Sequence, residues 1–246
     1  MSDNASDDND PGEIRSAWLD HIESLQAGVH SERGKELRRV AEATRRVLHG
    51  MVMTDLDTDV LRSAAERLED VAADFDRSTT RSMYEGFGES ANAGDPQGFF
   101  EHGPMLGNSN PLAPPIALSV VDERTMRGVV TFRGGYEGPP GCVHGGYIAA
   151  AFDEVLGATQ SLSGTPGMTG RLSIDYRSPT PLHEELVFTG VFEGREGRKN
   201  FTSGTLHVGD RLCAEAQGLF ISIDFGRLAE MEQAREDHHG ATQRPD

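Results

Sequence analysis

Between Tyr136 and Gly157 the chain reads YEGPPGCVHGGYIAAAFDEVLG, and two kinds of group in it can act on a carbonyl. Gly138, Pro139, Pro140 and Gly141 cannot continue a helix or a central strand, so they fix a rigid turn and the helix starts after them. His144, Gly145 and Gly146 then occupy the helix N-terminus, where N–H groups lack intrahelical partners and the dipole is positive. Two glycines there open the N–H groups to a substrate oxygen, at about 1 kcal/mol each in helix propensity. Asp153 follows as a carboxylate on the side shared by Gly146, Ala149, Ala150 and Gly157, while Ile148, Phe152, Val155 and Thr159 form the apolar face. That places Asp153 beside a groove. Glu154 projects about 100° away around the helix and is a minor alternative.

Eight residues of helix separate Gly145 from Asp153 by roughly 12 Å. A carboxylate and an oxyanion-binding N–H must converge within about 3 Å of one carbonyl. If both take part, they come from two copies of the helix, as a two-fold dimer with two equivalent sites would supply.

The elements that must hold this helix follow from patterning. Ile116 to Val121 and Arg127 to Arg133 read as strands before it, and 171–177, 185–193, 201–208 and 212–223 as strands after it, separated by turn signals. Six strands with one buried apolar helix define an α+β fold, the hotdog arrangement of an antiparallel sheet wrapped around a central helix. The divisions expected are an acidic leader over 1–12, a helical N-terminal region over 13–80, a loop-rich connector over 81–115, the sheet-and-helix domain over 116–226 and a polar tail over 227–246. The helical region carries three apolar stripes: Ile14, Trp18, Ile22 and Leu25; Leu37, Val40, Ala41, Thr44, Val47 and Leu48; and Val60, Leu61, Ala64, Leu68, Val71 and Phe75. Each needs a surface to cover it. In the connector, Phe87, Phe99, Phe100 and Met105 either lid a pocket or anchor the loop.

The GPPG-x-VHGG run, with Asp153 nine residues after His144 and Thr169 sixteen after Asp153, resembles the hotdog-fold acyl-CoA thioesterases of the phenylacetate-pathway type and the human mitochondrial long-chain type. RLSIDYRSPTPL, from Arg171 to Leu182, looks like that family's next strand and exit turn, and the resemblance covers about residues 112 to 224. It implies that Gly145 supplies the oxyanion N–H with Gly146 as neighbour, and that His144 shapes the turn and, as a catalytic residue, contacts the thioester. It further implies that Asp153 acts as nucleophile or general base, and that Thr169 bonds that carboxylate or positions a water. An Asn that a related subgroup carries before the His is replaced by Glu137 and Gly138 here, so its role does not transfer. The implied reaction is hydrolysis of an acyl-CoA thioester without a cofactor, at sites on the interface of a homodimer or a dimer of dimers. Alternatives are a non-catalytic acyl-CoA binder or regulator and, with less support, a hydratase or dehydratase.

A net charge of −17 disfavours nucleic-acid binding. Coenzyme A is anionic too, so its phosphates would need a local basic patch, for which Arg171, Arg177, Arg195, Arg198 and Lys199 are the candidates. Cys142 and Cys213 make no disulfide framework, they and His238–His239 lack metal-ligand spacing, and no metal site is expected. No apolar run is long enough to span a membrane, and the acidic N-terminal residues lack the basic and apolar segments of a secretory or transit signal. The expected location is the cytoplasm.

Overall fold

The computed structural model describes residues 31–77, 101–165 and 167–222. The leader, the stripe over 14–25, Phe87, Phe99 and Phe100, and the tail lie outside the described residues. Helix α1 spans Glu32–Val52 and α2 spans Thr58–Asp76. Ser31 caps α1 by accepting the Gly34 N–H at 3.1 Å, and Glu32 complements its dipole at the N-terminal end. The helix lies on the loop 101–110: Arg38 donates twice to Glu101 at 2.7 Å, and the buried Arg45 donates to the Asn108 carbonyl at 2.5 Å. Met105 in this loop is buried in the core, so it anchors the loop. No residue of α2 is buried, and Val60, Leu61, Leu68 and Val71 of its apolar stripe are exposed.

The strands are β1 (Ala117–Val120), β2 (Thr125–Val130), β3 (Gly167–Tyr176), β4 (Leu186–Glu196), β5 (Lys199–Val208) and β6 (Arg211–Ser222), and α3 (Gly145–Ser161) comes between β2 and β3. They form one antiparallel sheet in the order β1-β2-β4-β5-β6-β3. Glycines at positive φ, Gly197 and Gly209, make the tight turns that close the β4–β5 and β5–β6 hairpins. After α3 the chain crosses to the far edge beside β6, so β3 and β1 are the sheet's edges.

Helix α3 seats on one face of the sheet, and glycines on four strands let it come close. A Cβ on Gly128 would meet Val155 at 2.8 Å, one on Gly190 would meet Thr159 Oγ1 at 2.2 Å, and one on Gly204 would meet Leu156 at 3.0 Å. A Cβ on Gly218 would meet Thr202 Oγ1 at 2.5 Å, with Leu156 at 3.4 Å. Into this layer pack Phe132, Phe152, Phe188 and Phe220, all essentially without solvent contact, with Phe152 and Phe188 edge-on at 5.0 Å. Each such side chain contributes about 1.5–3 kcal/mol.

In the last turn of α3, Gln160 forms a buried amide pair with Asn200 that ties the helix to β5 and to the start of β3. Asn200 Nδ2 donates to Gln160 Oε1 and to the Thr165 carbonyl, both at 2.8 Å, and Gln160 Nε2 donates to the Gly167 carbonyl at 3.3 Å. This is why β3 starts at Gly167, four residues before the start that β propensity indicates. Thr169 therefore belongs to a strand and not to a flexible Gly-rich loop.

Candidate active site

The turn before α3 is built from its own backbone. Gly138 N–H donates to the Cys142 carbonyl at 2.9 Å, Cys142 N–H to the Pro139 carbonyl at 2.8 Å, and Gly141 N–H to Glu137 Oε1 at 2.6 Å. Gly141 sits at φ 72, which explains glycine there. Val143 N–H bonds the Thr180 carbonyl and Leu182 N–H the Gly141 carbonyl, so the turn is fastened to the segment carrying Pro179 and Pro181. Cys142, half-buried, lies in an isolated bridge to Pro181.

His144 is the N-cap of α3, and its Nδ1 accepts the Gly146 N–H at 3.0 Å. The next two N–H groups turn back to the His144 carbonyl. The Gly145 N–H has no acceptor among the described residues, so the cap leaves one donor open at the positive end of the helix. Tyr176, on β3, fixes this residue by donating its hydroxyl to the Gly145 carbonyl at 2.8 Å.

Asp153 lies on the exposed side of α3 and accepts a hydrogen bond from Thr169 Oγ1 at 2.7 Å. The sequence places it beside a groove; in the single chain that side is open. Strict alternation along β3 would point Thr169 away from the face that carries Leu172, Ile174 and Tyr176. A bulge between Thr169 and Arg171 changes the parity: Thr169 pairs with the buried Phe220, and Arg171 with Leu219 on the outer face.

The same register separates the basic residues from the acid. Arg171, Arg177 and Lys199 lie on the outer sheet face by pairing or contact with Leu219, Glu215 and Ile221, away from Asp153. Arg177 is bonded to Glu215 at 2.7 Å, Arg198 donates to the Ser222 carbonyl at 3.1 and 3.2 Å, and Arg195 donates to the Gly197 carbonyl at 2.6 Å. Arg177 sits at the Tyr176 end of β3, whereas Arg198 and Lys199 sit at its Thr169 end, so one chain does not gather them into a single patch.

Glu154 is half-buried. Burial and then the neighbouring Asp153 charge push its carboxyl up to about 7. The folded chain thus holds this proton more tightly than the unfolded chain, so the group lowers stability as pH rises from the ordinary glutamate range to about 7 and stays unfavourable above. Glu154→Gln is expected to stabilise the protein at pH 8 by on the order of 1–3 kcal/mol, with the gain shrinking toward pH 5. Urea midpoints at the two pH values measure it, and an equal gain at both would show that the proton is not involved.

Sequence reasoning did not find Tyr176. Its signal is the aromatic at the end of RLSIDY, but its partner is a backbone carbonyl 31 residues away. Glu137, which closes the turn, stands four residues before its partner Gly141 and was within reach of local reasoning.

A long antiparallel sheet curled on one buried helix, with a capped Gly-Gly start and a carboxylate held by a strand threonine, defines a hotdog-fold protein. The family model of the thioesterase superfamily matches residues 140–202. A crystal structure of a thioesterase superfamily protein is 35% identical with a TM-score of 0.64, and the match covers 75% of this chain and 94% of that one. The chain belongs to the thioesterase superfamily. It is also similar to acyl-coenzyme A thioesterase THEM4 of Mus musculus, 41% identical over 108 residues that make up 42% of this chain and 45% of that protein. Acyl-coenzyme A thioesterase THEM5 of Homo sapiens is 32% identical over 89 residues, 35% of this chain and 36% of that protein. The chain thus spans less than half the length of these curated relatives. Among the described residues no helix is long and apolar enough to cross a membrane.

Proposed function

We propose that this protein hydrolyses the thioester of an acyl-CoA to a free acid and coenzyme A. The observation that carries the reading is the Thr169–Asp153 hydrogen bond of 2.7 Å on the helix whose first N–H, at Gly145, is open. Water adds to the acyl carbon, the carbon–sulfur bond breaks, and the thiolate takes a proton to leave as the thiol. The carbonyl oxygen, as it gains charge, is held by the Gly145 N–H, which costs no reorganisation because the His144 cap and Tyr176 already fix it. Asp153 either takes the proton from water or attacks the carbon to form an anhydride that water then opens. Thr169 occupies one carboxylate oxygen and leaves the other for the reaction.

The two halves of this site lie roughly 12 Å apart on one helix, so the reading includes a homodimer. β3 is a ten-residue edge strand, and Asp153, Gly146 and Tyr147 beside it are exposed. A long exposed edge invites pairing with another chain. Antiparallel pairing of two β3 edges would set the Tyr176 end of one subunit, which holds Gly145, against the Thr169 end of the other, which holds Asp153. Arg177 of one subunit would then approach the end carrying Arg198 and Lys199 of the second, where the coenzyme phosphates have cationic partners.

The test is free-thiol release from acyl-CoAs of increasing chain length, with sedimentation of the active species. Hydrolysis by a dimer or dimer of dimers is expected. Thr169→Val should lower kcat about tenfold, as loss of a group that orients an acid or base does. Ligand binding with no thiol release would favour a non-catalytic acyl-CoA binder, and an active monomer would overturn the shared site.

A further inference from the structure

Helix α1 is outside the sheet domain and has no part in the chemistry above, yet its last turn sits on the backbone that leads into the oxyanion site. His49 Nδ1 accepts the Gly135 N–H at 3.1 Å, and its ring lies against Tyr136 with centroids 5.2 Å apart. The approach is tight: a Cβ on Gly135 would fall 2.7 Å from His49 Nδ1, and one on Gly134 would fall 2.9 Å from Met53 Cγ. Glycine at both positions lets α1 close on this turn with His49 and Met53 in place.

From there two steps reach the site. The Tyr136 carbonyl accepts the His144 N–H at 2.9 Å, and His144 Nδ1 caps Gly146, leaving Gly145 N–H open. The Tyr136 ring also meets Tyr147 edge-on at 4.9 Å, and its hydroxyl donates to the Leu112 carbonyl at 2.9 Å. Phe132 also packs edge-on at 5.2 Å, and from α1 the ring is met by His49.

We propose that His49 is a positioning residue for the oxyanion site, holding the Gly135–Tyr136 turn through Nδ1 so that His144 and Gly145 keep their places. The function of the turn rests on the thioesterase reading; the mechanical link does not. To accept from Gly135, Nδ1 must carry no proton, so the neutral imidazole with hydrogen on Nε2 is the competent form. The groups facing the ring favour it: burial foremost, then Arg133, Arg45 and His183, lower the readiness of His49 to protonate against the opposing charge of Glu42, and Tyr136 adds no charge. Acidification places a second donor against the Gly135 N–H and releases the turn.

The experiment uses the full chain with His49→Leu, which removes the acceptor, and His49→Asn, whose Oδ1 stands where Nδ1 does and does not titrate. His49→Leu is expected to lower kcat about tenfold with KM within about twofold, whereas His49→Asn stays within about twofold of the parent above neutral pH. The ratio of parent to His49→Asn kcat should be flat in alkali and fall as pH drops below the ordinary imidazole range. Amide exchange provides a readout independent of turnover: His49→Leu should speed exchange at His144 and Gly146 at least about tenfold and leave β4 to β6 unchanged. A lower melting temperature with unchanged kcat and unchanged exchange at those amides would overturn the proposal, as would His49→Asn as impaired as His49→Leu. If the parent releases no thiol, the thioesterase reading fails, and exchange at His144 and Gly146 alone decides for or against the link.

Discussion

Asp153→Asn is expected to lower kcat by at least about 10²-fold with little change in KM. Asparagine keeps the shape, and its oxygen still accepts from Thr169 Oγ1, so the helix and the 2.7 Å contact survive. The amide cannot take a proton from water or open an anhydride path, and the loss is therefore the same for either role of the carboxylate. Because Asp153 is on the exposed side of α3, the fold should not change. Near-parental turnover would remove Asp153 from the mechanism. Gly145→Pro is the matching variant for the proposed oxyanion donor. Proline is tolerated at the first helical position, and His144 already has the extended backbone, φ −62 and ψ 132, that precedes a proline. The variant deletes the N–H and is expected to cost about 10²–10³-fold. Refolding the two inactive variants together makes the shared site testable. In a two-fold dimer, half of the molecules are mixed and each holds one complete site, so about a quarter of the parental activity returns. If each site belonged to one chain, nothing would return.

Gly190→Ala is expected to destabilise the protein by about 2–4 kcal/mol, although alanine is normally the better strand residue. The new Cβ would lie 2.2 Å from Thr159 Oγ1 and 3.3 Å from Leu156 Cδ2. Both neighbours are completely buried and cannot swing into solvent. Thr159 Oγ1 also donates to the Val155 carbonyl at 2.6 Å, so moving it breaks a bond where no water can replace it. The denaturant midpoint should fall with little change in m-value. Adding Thr159→Ala removes the atom in the way and should restore about half of the loss, as expected for residues in contact. An unchanged midpoint in the single variant would mean that α3 does not sit on the sheet as closely as described.

The start of α3 was legible because its signals are local. A GPPG turn must end before a helix, a His and two glycines suit a helix start, and the apolar face of Ile148, Phe152, Val155 and Thr159 recurs at helical spacing and is buried. The strands after it were legible to within a few residues from β-branched and aromatic content, except that β3 begins at Gly167. Glycine and methionine do not announce a strand; the buried Asn200–Gln160 pair, assembled from distant segments, holds them in one. The apolar stripe of the second described helix was legible as well, and the fold leaves its Val60, Leu61, Leu68 and Val71 exposed.

By itself, the sequence determined a buried helix with a side-chain-free start, an acid eight residues along it, and enough strand-forming segments to cover it, because these depend on neighbours a few residues apart. Only the tertiary structure decided that Thr169 meets Asp153 while Arg171 turns outward, since one bulge in the β3–β6 ladder reverses side-chain parity. It also decided that Tyr176 reaches the Gly145 carbonyl and that His49 meets the Gly135 N–H, through hydrogen bonds between residues 31 and 86 apart in the chain. Contacts over such separations are set by how the sheet closes on the helix, and no periodicity within a segment records them.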